Sequence, residues 1–135
     1  MITAFDADVL IYAASPGHPL GQRVVPLFSG SVHSPVGVGS LLLLTEVLTK
    51  PMRADPQSDE TTELFRLLGR LDLRPFDRQT ATVALALAVE HGLRAADAAH
   101  LATAVVAGAD RFLTNNRKDF PQTITEVDVV YPDDL

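Results

Sequence analysis

The sequence of 135 residues contains no cysteine. Disulfides, thiolate metal sites and a cysteine nucleophile are thereby excluded, and the absence suits a reducing cytosol. Any metal must sit on oxygen or histidine. Long apolar runs are missing too. The opening "MITAFDADVLIY" has no basic residues ahead of it and is broken by Asp6 and Asp8, so neither a signal peptide nor a membrane anchor is expected, and the expected location is the cytoplasm. There is no internal repeat and no low-complexity tract. Basic residues are scarce: the formal net charge is -6, and lysine occurs only at positions 50 and 118. Such a balance argues against broad attraction to nucleic acid, which normally shows as a basic face. Divalent cations gathered by several carboxylates would offset part of the charge and invert the local field.

What is present is the composition of a packed domain, with 47% hydrophobic residues, and the length fits one domain over residues 1–135. "ITAFD" reads as a strand ending at Asp6, and "DVLIYAA" as a helix with Asp8 as its N-cap. A second helix is expected in "LGQRVVPLFS", a short strand in "SVHSP", and a helix through "VGSLLLLTEVL" that Pro51 stops. Residues 58–69 have helical spacing and "LDLRPF" reads as a strand. "DRQTATVALALAVEH" is a helix capped by Asp77 and closed by Gly92. "GLRAADAAHLATAVV" is a further helix, "DRFLTN" a buried strand and "EVDVVYP" a last strand. Strands alternating with helices imply an α/β layer fold with a mostly parallel sheet. Ligands in such folds bind beyond the carboxyl ends of the strands, which places Asp6 and the run "TNNRKDF" on one rim.

Three acids stand in apolar surroundings. Asp6 ends an apolar strand, where an unpaired charge is expensive to desolvate; loop amides or a ligand would satisfy it. Glu46 lies in "LLLLTEVL" with Leu42, Leu43 and Val47 at helical spacing, where a long side chain escaping to water is the competing account. Asp97 falls in the first turns of a helix apolar all round. The macrodipole favours it there by about 0.3 to 1 kcal/mol, yet a buried carboxylate ordinarily needs a cation or several donors. His100 reads as a packed or hydrogen-bonded core histidine, since oxygen-rich sites suit magnesium and manganese without one. Three such acids would repel one another unless a divalent cation held them.

At these residues the sequence resembles the PIN-domain ribonucleases, in particular the VapC-type toxins of toxin–antitoxin pairs. "FDADVLIYAAS", "LLTEVL" and "LRAADAAHLATAVVAGADRFLTNNRKDF" carry the resemblance across nearly the whole chain. It implies an α/β/α sandwich around a parallel sheet and Mg²⁺- or Mn²⁺-dependent endonuclease cleavage of RNA. It also implies a metal and catalytic set of Asp6, Glu46 and Asp97. The family's fourth acid usually follows a Thr in a T-N-D pattern; here the matching residues are Thr114, Asn115 and Asn116. Asn116 brings an amide oxygen without charge, and Asp119, three residues on, supplies a carboxylate if the loop turns back. Thr114 orients that loop through its hydroxyl. Arg94, Arg117 and Lys118 flank the acids, where they either contact RNA phosphates or are solvated surface charges.

The resemblance further implies a cognate antitoxin that blocks the site and a homodimer, for which "LLLL" and "VALALAV" offer apolar faces that core packing explains equally. Two other readings compete. One is a PIN-like protein that binds RNA or a partner and has lost turnover through Asn116. The other is a haloacid-dehalogenase-type phosphatase, suggested by "DAD" after a strand, which would need Lys50 or Lys118 and the pair Asp133–Asp134 near its metal.

Overall fold

The computed structural model describes residues 1–135. Five strands form one sheet: β1 (Thr3–Phe5), β2 (Gly37–Ser40), β3 (Leu71–Arg74), β4 (Arg111–Leu113) and β5 (Asp128–Val130), in the order β3-β2-β1-β4-β5. Every neighbouring pair is parallel. Six helices connect them: α1 (Ala7–Ala13), α2 (Pro19–Val24), α3 (Leu43–Ala54), α4 (Asp59–Leu68), α5 (Arg78–His91) and α6 (Ala95–Val106).

The period-2 alternation of the strands divides the core in two. Ala4, Val38, Phe112 and Val129 face a cluster built with α5 and α6. Phe5, Leu71 and Leu113 face the other, built with α1 to α4. The result is the expected α/β/α sandwich, with a sheet that is wholly parallel. No helix is long and apolar enough to cross a membrane.

Several local expectations are corrected. Asp6, not Asp8, caps α1: its backbone is extended and its carboxylate accepts from the Ala7 N–H. Asp8 lies in the first turn and is used elsewhere. "SVHSP" is an exposed turn, and β2 is instead the glycine-rich "GVGS". Glycine is a poor strand former on its own, but a Cβ at Gly37 would collide with the Thr3 carbonyl and the Phe5 ring, so tight packing across β1 selects it. The helix after it begins at Leu43 and not at Val38. Pro51 does not stop that helix, which runs to Ala54. Proline removes its own N–H and its ring crowds the carbonyl four residues back, but Pro51 lies in the last turns of the helix and the Asp55 N–H still closes on its carbonyl. The second helix is shorter than expected, since α2 gives way at Val25 to a 3-10 turn containing Pro26.

α5 begins at the Asp77 cap and ends at Gly92, whose φ of +66° is the left-handed closure that glycine makes without strain. Only Leu93 and Arg94 then separate Gly92 from α6. α6 is buried continuously from Ala98 to Ala104.

Candidate functional site

Strand order reverses between β1 and β4. The chain builds outward from β1 to β2 and β3, then returns to place β4 on the other side of β1. A crevice beyond the carboxyl ends of the strands at such a switch is where α/β folds hold ligands. Phe5 pairs with Leu113 across it, so the next residues, Asp6 and Thr114, stand side by side at its lip.

Asp6 is 6% exposed. Its Oδ1 accepts from Ala7 N at 2.8 Å and its Oδ2 from the Thr114 hydroxyl at 2.7 Å. Burial raises its carboxyl above the ordinary 3.8; His100, Thr114 and the Ala7 amide pull it back, and Glu46 pushes it further up. Asp8, in the first turn of α1, accepts from Asn115 N at 2.9 Å through Oδ2, while its Oδ1 is buried without a partner. Burial, then the charge of Asp6, pushes the Asp8 carboxyl up to about 7.

Asp97, half-buried in the first turn of α6, is likewise raised. Burial comes first, followed by the charges of Asp6 and Asp119, with Glu46 adding to them and His100 opposing. Three acids, Asp6, Asp119 and Glu46, thus act on Asp97. His100, three residues on, is the hydrogen-bonded core histidine expected: its Nε2 lies 3.0 Å from Glu46 Oε1. Burial disfavours its charge, but the Glu46 hydrogen bond and the charges of Asp6, Glu46 and Asp97 outweigh that and hold it above the ordinary 6.5. The His100 bond in turn holds Glu46 below its usual range.

Two expectations about this segment need adjustment. The leucine run is not wholly buried: Leu41 and Leu44 are exposed, and the Glu46 side chain is 33% exposed. In addition, the ligand atoms of Asp6, Glu46 and Asp97 are not all within 4.8 Å of one another. The one set of three that meets this distance is Glu90, His91 and Glu126, with both glutamates on the surface.

The fourth position is a closed loop. Asn116 Nδ2 donates to Asp119 Oδ2 at 2.9 Å, and the Asp119 N–H donates to Asn116 Oδ1 at 3.3 Å. The Thr114 hydroxyl also accepts from Asn116 N at 3.1 Å. The loop therefore turns back, and the charge of Asp119 reaches Asp97. Arg94 precedes α6 and is exposed, as is Lys118. Arg117 pairs with Asp133 at 2.9 Å, with more than half of each side chain exposed, and stacks over Tyr131.

Two features of this rim lie beyond the sequence expectations. Asp8 has the position of a cap, although the spacing of Asp6 and Asp8 at a strand-to-helix junction carries the signal of a second acid nearby. The bond from His100 to Glu46 had no signal, because 54 residues separate its partners.

The fold and the rim together define a three-layer α/β/α protein with several acids near the switch point of a parallel sheet. The PIN domain family model matches residues 4–124, and the chain belongs to that family. PIN domains are generally nucleases and typically use a divalent metal. The membership sets aside the phosphatase reading of "DAD". No curated protein matches the chain closely enough to count as a relative. Among solved structures, the chain is similar to one in a toxin–antitoxin complex from Klebsiella pneumoniae, with a TM-score of 0.77, 24% identity and full coverage of both chains. It is also similar to a chain of VapBC2 from Rickettsia felis bound to a promoter DNA fragment, with a TM-score of 0.74 and 18% identity over 97% of this chain and 98% of that one. A third is a chain of FitAcB from Neisseria gonorrhoeae, with a TM-score of 0.73, 22% identity and full coverage of both.

Proposed function

We propose that the whole chain, 1–135, acts as one PIN domain that hydrolyses RNA phosphodiester bonds with Mg²⁺ or Mn²⁺, as the toxin of a toxin–antitoxin pair in the cytoplasm. The observation that carries the reading is the hydrogen-bonded rim beyond the carboxyl ends of β1 and β4, where Asp6 bonds Thr114, Glu46 bonds His100 three residues from Asp97, and Asp119 bonds Asn116. The donor set suits a hard cation in its chemistry, being carboxylate and amide oxygens with one Asp8 oxygen buried without a partner, and Asp6, Glu46 and Asp97 would draw closer to share one ion. Asp6, Glu46 and Asp97 would hold the ion, with Asp119 supplying the charge that Asn116 lacks. When bound, such a cation supplies Lewis acidity to a phosphoryl oxygen and lowers the pKa of water.

The chain's own residues do the rest. Thr114 fixes Asp6 at the crevice, and Asn116 holds the loop that carries Asp119. Arg94 and Lys118 offer free charges to the phosphate backbone. Arg117 joins them by exchanging Asp133 for a phosphate, since an exposed ion pair contributes little to stability.

The partners expected are an antitoxin covering this rim, in line with the toxin–antitoxin complexes that share the fold, and a second copy of the chain. Leu85 and Val89 support the dimer: they lie four residues apart on α5 and are 67% and 79% exposed.

The test is cleavage of a mixed pool of structured RNAs with Mn²⁺, Mg²⁺ or EDTA, beside Asp97→Asn. Metal-dependent cuts that disappear in the variant are the expected result. Identical behaviour of the two proteins on every substrate would favour the alternative that Asn116 has left a binding protein without turnover.

A further inference from the structure

The inference rests on that reading of the rim and concerns how Glu46 is held there. His100 is 2% exposed. Its bond to Glu46 is the one side-chain hydrogen bond between α3 and α6, helices that belong to opposite layers of the sandwich. It therefore links the two layers that flank the sheet. The other ring nitrogen, Nδ1, is buried without a partner, so the imidazole makes a single polar contact. Glu46 Oε2 takes no donor from the protein.

We propose that His100 is a positioning residue, which binds Glu46 Oε1 through Nε2 and leaves Oε2 as the oxygen free for the cation shared with Asp6 and Asp97. Glu46 needs such a restraint. Its side chain is long and one-third exposed, and nothing else in the protein fixes its carboxylate, so without His100 it turns to water and loses the rim. Partners of this kind, which orient a ligand without touching the metal, govern metal affinity in other sites.

A purely structural histidine is a poor alternative. An imidazole nitrogen buried without a hydrogen bond is a cost to folding, and a leucine in the same alanine-rich helix would avoid it. Glu46, once released, reaches solvent. The two roles thus predict opposite effects of removing the ring on stability.

The experiment is Mn²⁺ titration of the full chain, followed by electron paramagnetic resonance of free Mn²⁺, with thermal unfolding in EDTA measured in parallel. The proteins are wild type, His100→Leu, His100→Gln, Glu46→Gln, and Glu46→Gln combined with His100→Leu. His100→Leu is expected to weaken Mn²⁺ binding about 10- to 100-fold while its melting temperature in EDTA holds or rises. His100→Gln, whose amide donates from near the Nε2 position, keeps most of the affinity. In the Glu46→Gln background the leucine costs nothing more, since the two residues act as one unit.

Unchanged affinity in His100→Leu would overturn the proposal, and so would a fall in melting temperature that the loss of affinity simply follows. An equal loss in the Glu46→Gln background would overturn it too, because His100 would then act on the cation directly. If the wild type binds no Mn²⁺, the metal reading of the rim fails and takes this inference with it. Wild-type binding that is indifferent to His100 removes the inference alone.

Discussion

The Thr114 hydroxyl donates to Asp6 Oδ2 at 2.7 Å across the seam between β1 and β4, and both residues are buried. The backbone enforces the pairing, because Asp6 N donates to the Leu113 carbonyl at 3.0 Å. Thr114→Val keeps the shape and deletes the donor, which leaves one carboxylate oxygen short of a partner. The expected loss is about 1–3 kcal/mol of unfolding free energy in urea at pH 7, with Thr114→Ser near wild type. Equal stability of the valine variant would mean that Asp6 finds another donor.

Without metal, the rim acids make the protein less stable as pH rises. The Asp8 carboxyl titrates at about 7 when folded, against an ordinary 3.8, so between those values the folded state binds more protons than the unfolded one. Stability then falls with increasing pH. Asp6 and Asp97 shift in the same direction. Glu46, Glu63 and Glu126 are lowered and act the other way only as pH drops below about 4.5. Melting temperatures in EDTA should therefore decline from pH 5 to pH 8. Saturating Mn²⁺ should flatten or reverse the trend, because the cation binds the ionised acids. A steady rise in EDTA over that range would contradict the account.

Asn116→Asp restores the charge that the T-N-D pattern carries. A further unit charge about 4 Å from a divalent cation is worth about 2 kcal/mol even at the dielectric of water, roughly a thirtyfold gain in Mn²⁺ affinity. The same change replaces the Asn116–Asp119 hydrogen bond with two facing carboxylates, so the metal-free protein should melt lower. Asp119→Asn should weaken Mn²⁺ binding in the natural chain but much less in the Asn116→Asp variant. Calorimetric titration of the four proteins checks this. Independent effects would show that Asp119 does not stand in for the missing acid.

Leu85 and Val89 give α5 an outward apolar surface that the fold leaves uncovered. Light scattering at micromolar concentration should report a dimer for the natural chain and a monomer for Leu85→Glu with Val89→Glu, both folded by circular dichroism. A monomer in both cases would remove this face as the contact between copies.

Much of this protein is determined locally and is therefore legible in the chain. Asp77 and Gly92 mark the two ends of α5 because a cap and a left-handed closure need only their own neighbours. The alternation in β1 and β4 divides the two cores because side chains in a strand point to opposite faces. Asp6, Glu46 and Asp97 stood out because carboxylates among aliphatic residues are costly without a partner.

The tertiary structure decided what depends on residues distant in the sequence. Gly37 belongs to a strand only because β1 packs too closely for a side chain, and Pro51 sits within α3 because the remaining carbonyls still find donors. Asp6 caps α1 while Asp8 turns to Asn115, a choice made when β4 arrives beside β1. Glu46 meets His100 only when the layers close on both faces of the sheet. Patterns in sequence report which groups need partners, whereas the fold supplies them, since the distances that set hydrogen bonding and charge coupling exist only once the chain has packed.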